Sequence, residues 1–194
     1  DNDFTWKDFQ DRNNSELVSI FGNFVNRTWV LMHKLCKGKV PVFHNELIDE
    51  PDKQLITDIA SAKEKVESLL EQYKFRDALY EVIDLSRKGN QYMQKKEPWI
   101  VAKQLGSSEA PSTGGGLGEV AAQKKIDNCL HLCLQLSANL AVLINPFLPT
   151  TAQKMLHMMK VVDKMLDWEN AGKLKLLSVG YSLREPQLLF RPIE

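Results

Sequence analysis

The chain has 194 residues, 43% of them hydrophobic and 26% charged. Such a chain can bury a sizeable core without disulfide or metal staples. Lys+Arg and Asp+Glu each number 25, for a net charge of zero. A large basic patch is not guaranteed by that balance, so a nucleic-acid partner is expected to be read by a few placed side chains.

Asp1-Asn2-Asp3-Phe4 without an initiator Met reads as the opening of a piece cut from a longer protein. Asn13 is expected to cap a first helix, with Glu16 three residues on in capping-box spacing. Leu17, Ile20, Phe21, Phe24, Leu31 and Leu35 then form its apolar face, and Gly38 stops it. Val40 to Pro51 reads as a loop. A long amphipathic helix follows through Leu55, Ile59, Ala62, Val66, Leu69 and Tyr73. Phe75, Leu79, Val82, Ile83, Ser86, Asn90 and Met93 make a partner antiparallel to it after a tight turn. Pro98 suits a first helical turn, so Trp99 to Leu105 opens a short helix.

Residues 106–118, with Gly114-Gly115-Gly116, are expected to be a flexible loop. From Glu119 to Ile144, Ala122, Ile126, Cys129, Cys133, Leu136, Leu140 and Leu143 rebuild a helical stripe. Pro146 and Pro149 break it, and Thr150 is expected to cap a short helix reaching Met159. Residues 174–194 show no period and are expected to dock as an extended tail through Leu188-Leu189-Phe190. No alternating-strand region appears. The fold class is therefore all-α, a helical bundle of about five main helices with a docked C-terminal tail, taken as one domain over 1–194.

No phosphate-binding glycine signature and no nucleophile elbow is present, so no catalytic residue is assigned. Cys129-x-His131-x-Cys133 lacks the second ligand pair that structural zinc wants; Cys129 and Cys133 read as core thiols, and no metal is assigned. Three cysteines and the absence of a signal peptide point to the cytoplasm. No apolar run approaches the roughly 20 residues of a membrane span.

Two short stretches hold candidate binding residues. Asn23 and Arg27 stand four apart, one turn above each other on one helix face, near the edge of the apolar stripe. An amide and a guanidinium together can match a base edge. By spacing alone they read more readily as a helix-to-helix bond and a surface ion pair. Pro98-Trp99 at a helix start aims an indole in a defined direction. It reads equally as a stacking platform for an unstacked base or as core filler. Lys95, Lys96 and Lys103 lie near enough to meet phosphates, although a solvated face is the simpler reading of each.

Four motifs then coincide: Asp3-Phe4-x-Trp6-x-Asp8-Phe9; Gly22-Asn23-Phe24-Val25-Asn26-Arg27; Glu97-Pro98-Trp99-Ile100-Val101-Ala102-Lys103; and Leu189-Phe190-Arg191-Pro192-Ile193. In this order they resemble the anticodon-binding domain of methionyl-tRNA synthetase, a class I aminoacyl-tRNA synthetase. The resemblance implies that Asn23 and Arg27 contact anticodon bases. It also implies that Trp99 packs on the first base of CAU with Pro98 beside it. The implied partners are methionine tRNA and the catalytic domain of the same polypeptide, with no membrane. The family's His-Ile-Gly-His and Lys-Met-Ser-Lys-Ser signatures are absent here. The parent would be a ligase using ATP, with zinc in an insertion, while this stretch alone would need no cofactor and be inactive. Two other readings stand beside this one: a helical protein-interaction module with Trp99 and Tyr92 as its aromatics, or the anticodon domain of another class I synthetase.

Overall fold

The computed structural model describes residues 3–106 and 117–194. Among the described residues seven α-helices order as α1 (Trp6–Arg12), α2 (Asn23–Cys36), α3 (Glu50–Glu71), α4 (Phe75–Lys96), α5 (Pro98–Gly106), α6 (Leu117–Ile144) and α7 (Pro149–Met159). Among the described residues the only strand-like pairing is one antiparallel bridge, Lys39 with Ser182. The architecture is the all-α bundle that the helical periodicity calls for.

The chain enters differently from the expectation. Asn13 is no cap: its backbone is right-handed helical (φ −56°, ψ −47°) inside one unbroken rod. The cap is Thr5, whose Oγ1 accepts from the Asp8 amide at 3.1 Å. Between α1 and α2 the rod widens to a π-helix over Asn13–Gly22. Its i→i+5 winding shifts the register of every side chain after it. The buried face is therefore Phe21, Phe24, Val25, Thr28, Trp29 and Met32, and Leu31 and Leu35 are only partly buried. Thr28 tolerates full burial because its hydroxyl donates to the Phe24 carbonyl at 2.9 Å. The rod ends as expected: Lys37 turns left-handed (φ 55°) and Gly38 follows at φ 72°.

α3 starts inside the stretch read as loop. Asp49 and Asp52 form a reciprocal capping box, with Pro51 in the first turn. A hairpin through Tyr73 (φ 57°) sends α4 back along α3. Gly89 of α4 marks a tight crossing, since a Cβ there would lie 2.7 Å from Leu136 Cδ2 and 2.7 Å from Phe24 Cε2. Thr150 does not cap α7. Pro149 opens that helix after Leu148 with no side-chain cap, because proline has no N–H to satisfy.

α6 is the axis of the bundle. Its expected one-sided stripe is too modest, because every residue from Asn128 to Ile144 is buried. The segment Gly118–Ile144 is long and apolar enough to cross a membrane, but 94% of its most apolar window lies inside the protein, as befits a core helix. Of the 106–118 stretch, Gly106 and Leu117–Gly118 belong to helices, and residues 107–116 lie outside the described residues.

The tail runs without helix or sheet, and buried amides on α6 hold the chain leading into it. Gln135 Oε1 accepts from the Leu176 and Leu177 amides at 2.8 and 3.0 Å, while its Nε2 donates to the Leu177 carbonyl. Asn139 treats Gly172 and Lys173 the same way. Farther on, Leu189 is buried and Phe190 meets Phe21 edge-on at 6.0 Å, whereas Leu188 is exposed.

Candidate nucleic-acid interface

Three helices bring the candidate residues together. α2 carries Asn23 and Arg27 one turn apart on a face adjoining the buried stripe. α4 ends at Lys96, and Glu97 turns left-handed (φ 43°, ψ 53°) before Pro98 starts α5. A left-handed non-glycine directly before a proline is a strained elbow. The break points Trp99 back toward α2. The Arg27 guanidinium then lies over the indole, 5.2 Å from the ring centroid. Such a cation–π contact is worth roughly 0.5–1 kcal/mol at an exposed site.

Trp99 is half-buried: part of it rests on the core and part reaches solvent. Pro98 is buried beneath it. Asn23 is exposed, and its Nδ2 lies 3.5 Å from Asn90 Oδ1. Asn90 is steadied in turn by donating to the Ile20 carbonyl at 3.0 Å. An exposed amide and a guanidinium on α2 thus sit beside a half-open indole on α5, with Asn90 of α4 next to the amide. The arrangement offers donors, an acceptor and a π-face to a planar, hydrogen-bonding ligand.

Of the lysines, Lys95 and Lys103 are exposed. Lys96 corrects both readings made for it, since it faces neither phosphate nor open solvent. Its Nζ bonds Asp49 Oδ2 at 2.8 Å and the fully buried Asp52 Oδ1 at 3.0 Å. Burial alone would lower its pKa, but the bonds to the two aspartates outweigh burial and raise it. Tyr92 is 4% exposed and donates to Asp52 Oδ1 at 2.6 Å. It is therefore no surface aromatic, which removes half of the protein-interaction reading. Asn90, Asp49 and Asp52 escaped assignment as site residues. Asn90 was placed only among the residues of the α4 pattern; Asp49 lay in the stretch read as loop, and Asp52 lay just after it. The Asp-x-x-Asp spacing around Pro51 was the signal that could have found that cap.

On α6, Cys129 and Cys133 are buried on the core side, and burial holds the Cys133 thiol well above its usual range. His131 bonds the Pro41 carbonyl through Nδ1 at 2.8 Å and stacks on Phe43.

Comparison with known proteins shows the family of the chain. The family described as "Anticodon binding domain of methionyl tRNA ligase" matches residues 42–194, and "tRNA synthetases class I (M)" matches residues 1–29. The chain is 43% identical over all its 194 residues to a methionine–tRNA ligase of Phocaeicola vulgatus, of which it covers 25%. It is 42% identical to one of Bacteroides fragilis, of which it covers 26%. It thus spans about a quarter of the length of these curated relatives. In fold it is similar to the apo form of Mycobacterium tuberculosis methionyl-tRNA synthetase. That similarity has a TM-score of 0.83 at 20% identity and covers 98% of this chain and 35% of the other. By its matched residues and its relatives, the chain belongs to the family of methionyl-tRNA ligase anticodon-binding domains.

Proposed function

We propose that this chain reads the CAU anticodon of methionine tRNA, with Asn23 and Arg27 bonding base edges and Trp99, seated on Pro98, stacking the first base. The carrying observation is the Arg27 guanidinium resting over the Trp99 indole at 5.2 Å, with exposed Asn23 one turn away on the same helix. RNA sequence is read chiefly on unstacked loop bases, by aromatic stacking and edge hydrogen bonds. A guanidinium already docked on the indole surrenders less side-chain freedom when a base arrives. A site built of one stacker and two edge readers also suits a chain of zero net charge.

In this reading the whole protein is a methionine–tRNA ligase that consumes ATP, and this chain supplies its tRNA specificity. Support comes from relatives that are methionine–tRNA ligases and from a structural neighbour bound by methionyl-adenylate. A contact face for the catalytic part is offered by Phe4, Trp6 and Phe9. They are exposed and meet edge-on or tilted at 5.2–6.3 Å, and Phe4 and Phe9 line a cavity of about 930 Å³ with Arg76, Tyr80 and Phe190. Among the described residues no group of three or more His, Cys, Asp or Glu converges to hold a metal. The free thiols Cys36, Cys129 and Cys133 fit a cytoplasmic protein.

The test is titration with anticodon hairpins bearing CAU or a changed first base. Trp99→Ala is expected to cost about 1–3 kcal/mol of CAU affinity while the helical signal persists. Arg27→Gln should narrow the ratio between the two hairpins more than it lowers overall affinity. Equal binding of both hairpins by the unaltered chain would reject base reading. A uniform loss for all hairpins in Arg27→Gln would reassign that residue to phosphate.

A further inference from the structure

We propose that Lys96, with Asp49 and Asp52, is a positioning device that sets the direction of the Trp99 indole; the inference deepens the anticodon reading above and rests on it for its effect on RNA. Lys96 is the last residue of α4, one residue before the left-handed elbow at Glu97 and three before Trp99. Its ammonium clamps that helix end to the first turn of α3 through Asp49 and Asp52. Asp52 is held on all sides: Tyr92 Oη donates to Oδ1 and the Asp49 amide donates to Oδ2 at 3.1 Å. Lys96 Nζ also stands 5.9 Å from the Tyr92 ring centroid. The cluster is therefore a closed set joining the start of α3 to the end of α4.

Its placement carries the inference. Apolar residues alone can hold two antiparallel helices together, and buried ion pairs often hold them no better. What an ion cluster adds is direction, because charged groups tolerate few geometries. Here the direction is given at the base of a strained elbow whose next residues are Pro98 and Trp99. The indole is then located from two sides, by the Lys96 anchor on the α3–α4 pair and by Arg27 on α2. Lys96 acts through Trp99 and does not touch RNA, since both aspartates already occupy its ammonium.

The experiment uses the 194-residue chain labelled with 5-fluorotryptophan, with the Trp99 fluorine signal assigned by its loss in Trp99→Phe. Lys96→Met removes the anchor; Asp49→Asn removes one charge yet keeps an N-cap side chain, so one variant stays folded if the other does not. Both are expected to shift or broaden the Trp99 signal while Trp6 and Trp168 stay put. Lys96→Met should lose about tenfold in affinity for the CAU hairpin, leave the changed-base hairpin unaffected, and cause no further loss in a Trp99→Ala background. A Trp99 signal unmoved in both variants overturns the proposal. So does a Lys96→Met loss that persists without the indole, which would put Lys96 on the RNA, and so does movement of all the fluorine signals together. If Trp99→Ala alone leaves CAU binding intact, the base-platform reading fails, and the fluorine signal still decides whether the cluster positions the indole.

Discussion

His131 lies between two cysteines in the sequence, and on the helix its imidazole turns away to the Pro41 carbonyl, 90 positions back in the chain. Burial lowers its pKa from the ordinary 6.5, with the bond to Pro41 opposing only in part. Because the folded-state value is depressed, the unfolded chain binds the proton more readily. The histidine's contribution to stability is complete above pH 6.5 and is lost as pH falls below it. Thermal unfolding should therefore show a midpoint that declines as pH falls below 6.5, and His131→Gln should flatten that slope. An unchanged slope in the variant would assign the decline to other groups. At this scale little was legible in advance. Asn23, Arg27, Pro98 and Trp99 stood out as a set of residue types. That Trp99 is partly packed and partly open, and that Lys96 is spent on aspartates, depends on partners far away in sequence. Burial also raises the Cys36 thiol to about 12, a consequence of packing that no spacing rule foretells.

At the scale of elements, helix stops and the α3–α4 hairpin followed from glycines, prolines and apolar period. Two starts did not. The first rod was misread because a π-helical stretch disguises itself as ordinary helix in sequence: its residues have the same propensities and only the hydrogen-bond spacing differs. The start of α3 was missed because acidic residues around Pro51 look like loop until their reciprocal cap is seen. Gly89 offers a test of how tightly the elements cross. Alanine there improves helix propensity by roughly 1 kcal/mol, yet its methyl would meet the Phe24 ring and the Leu136 side chain. Overpacking of this kind costs about 1–3 kcal/mol, and the ring cannot swing aside cheaply. Gly89→Ala is expected to lower the denaturation midpoint, and a rise would mean that the crossing has slack.

Over the whole molecule, α6 works as a spine that is apolar all round yet spends its buried amides on irregular backbone. Asn128 bonds both the amide and the carbonyl of His44, at 2.6 and 2.9 Å. Gln135 and Asn139 do the same for residues 172–177. These bonds replace the ladder that a strand would have supplied, which is how non-helical chain lies against a helical core. Gln135→Met keeps the length of the side chain but strands two amides and a carbonyl. It should cost at least about 2 kcal/mol, since each buried unpaired group costs roughly 1–3 kcal/mol. Faster hydrogen exchange at Leu176 and Leu177 would localise the damage; full protection there would show that the tail holds on by its apolar contacts alone.

Sequence by itself determined the helical class, the positions of most elements, the docking of an extended tail and the four residue types of the candidate site, because period, proline and motif are local and additive along the chain. Tertiary structure alone decided which face of the first rod is buried, what Lys96 and Tyr92 touch, and how Arg27 comes to rest on Trp99. Those outcomes turn on helix winding and on partners tens of residues apart, and burial and charge pairing exist only once the helices have met.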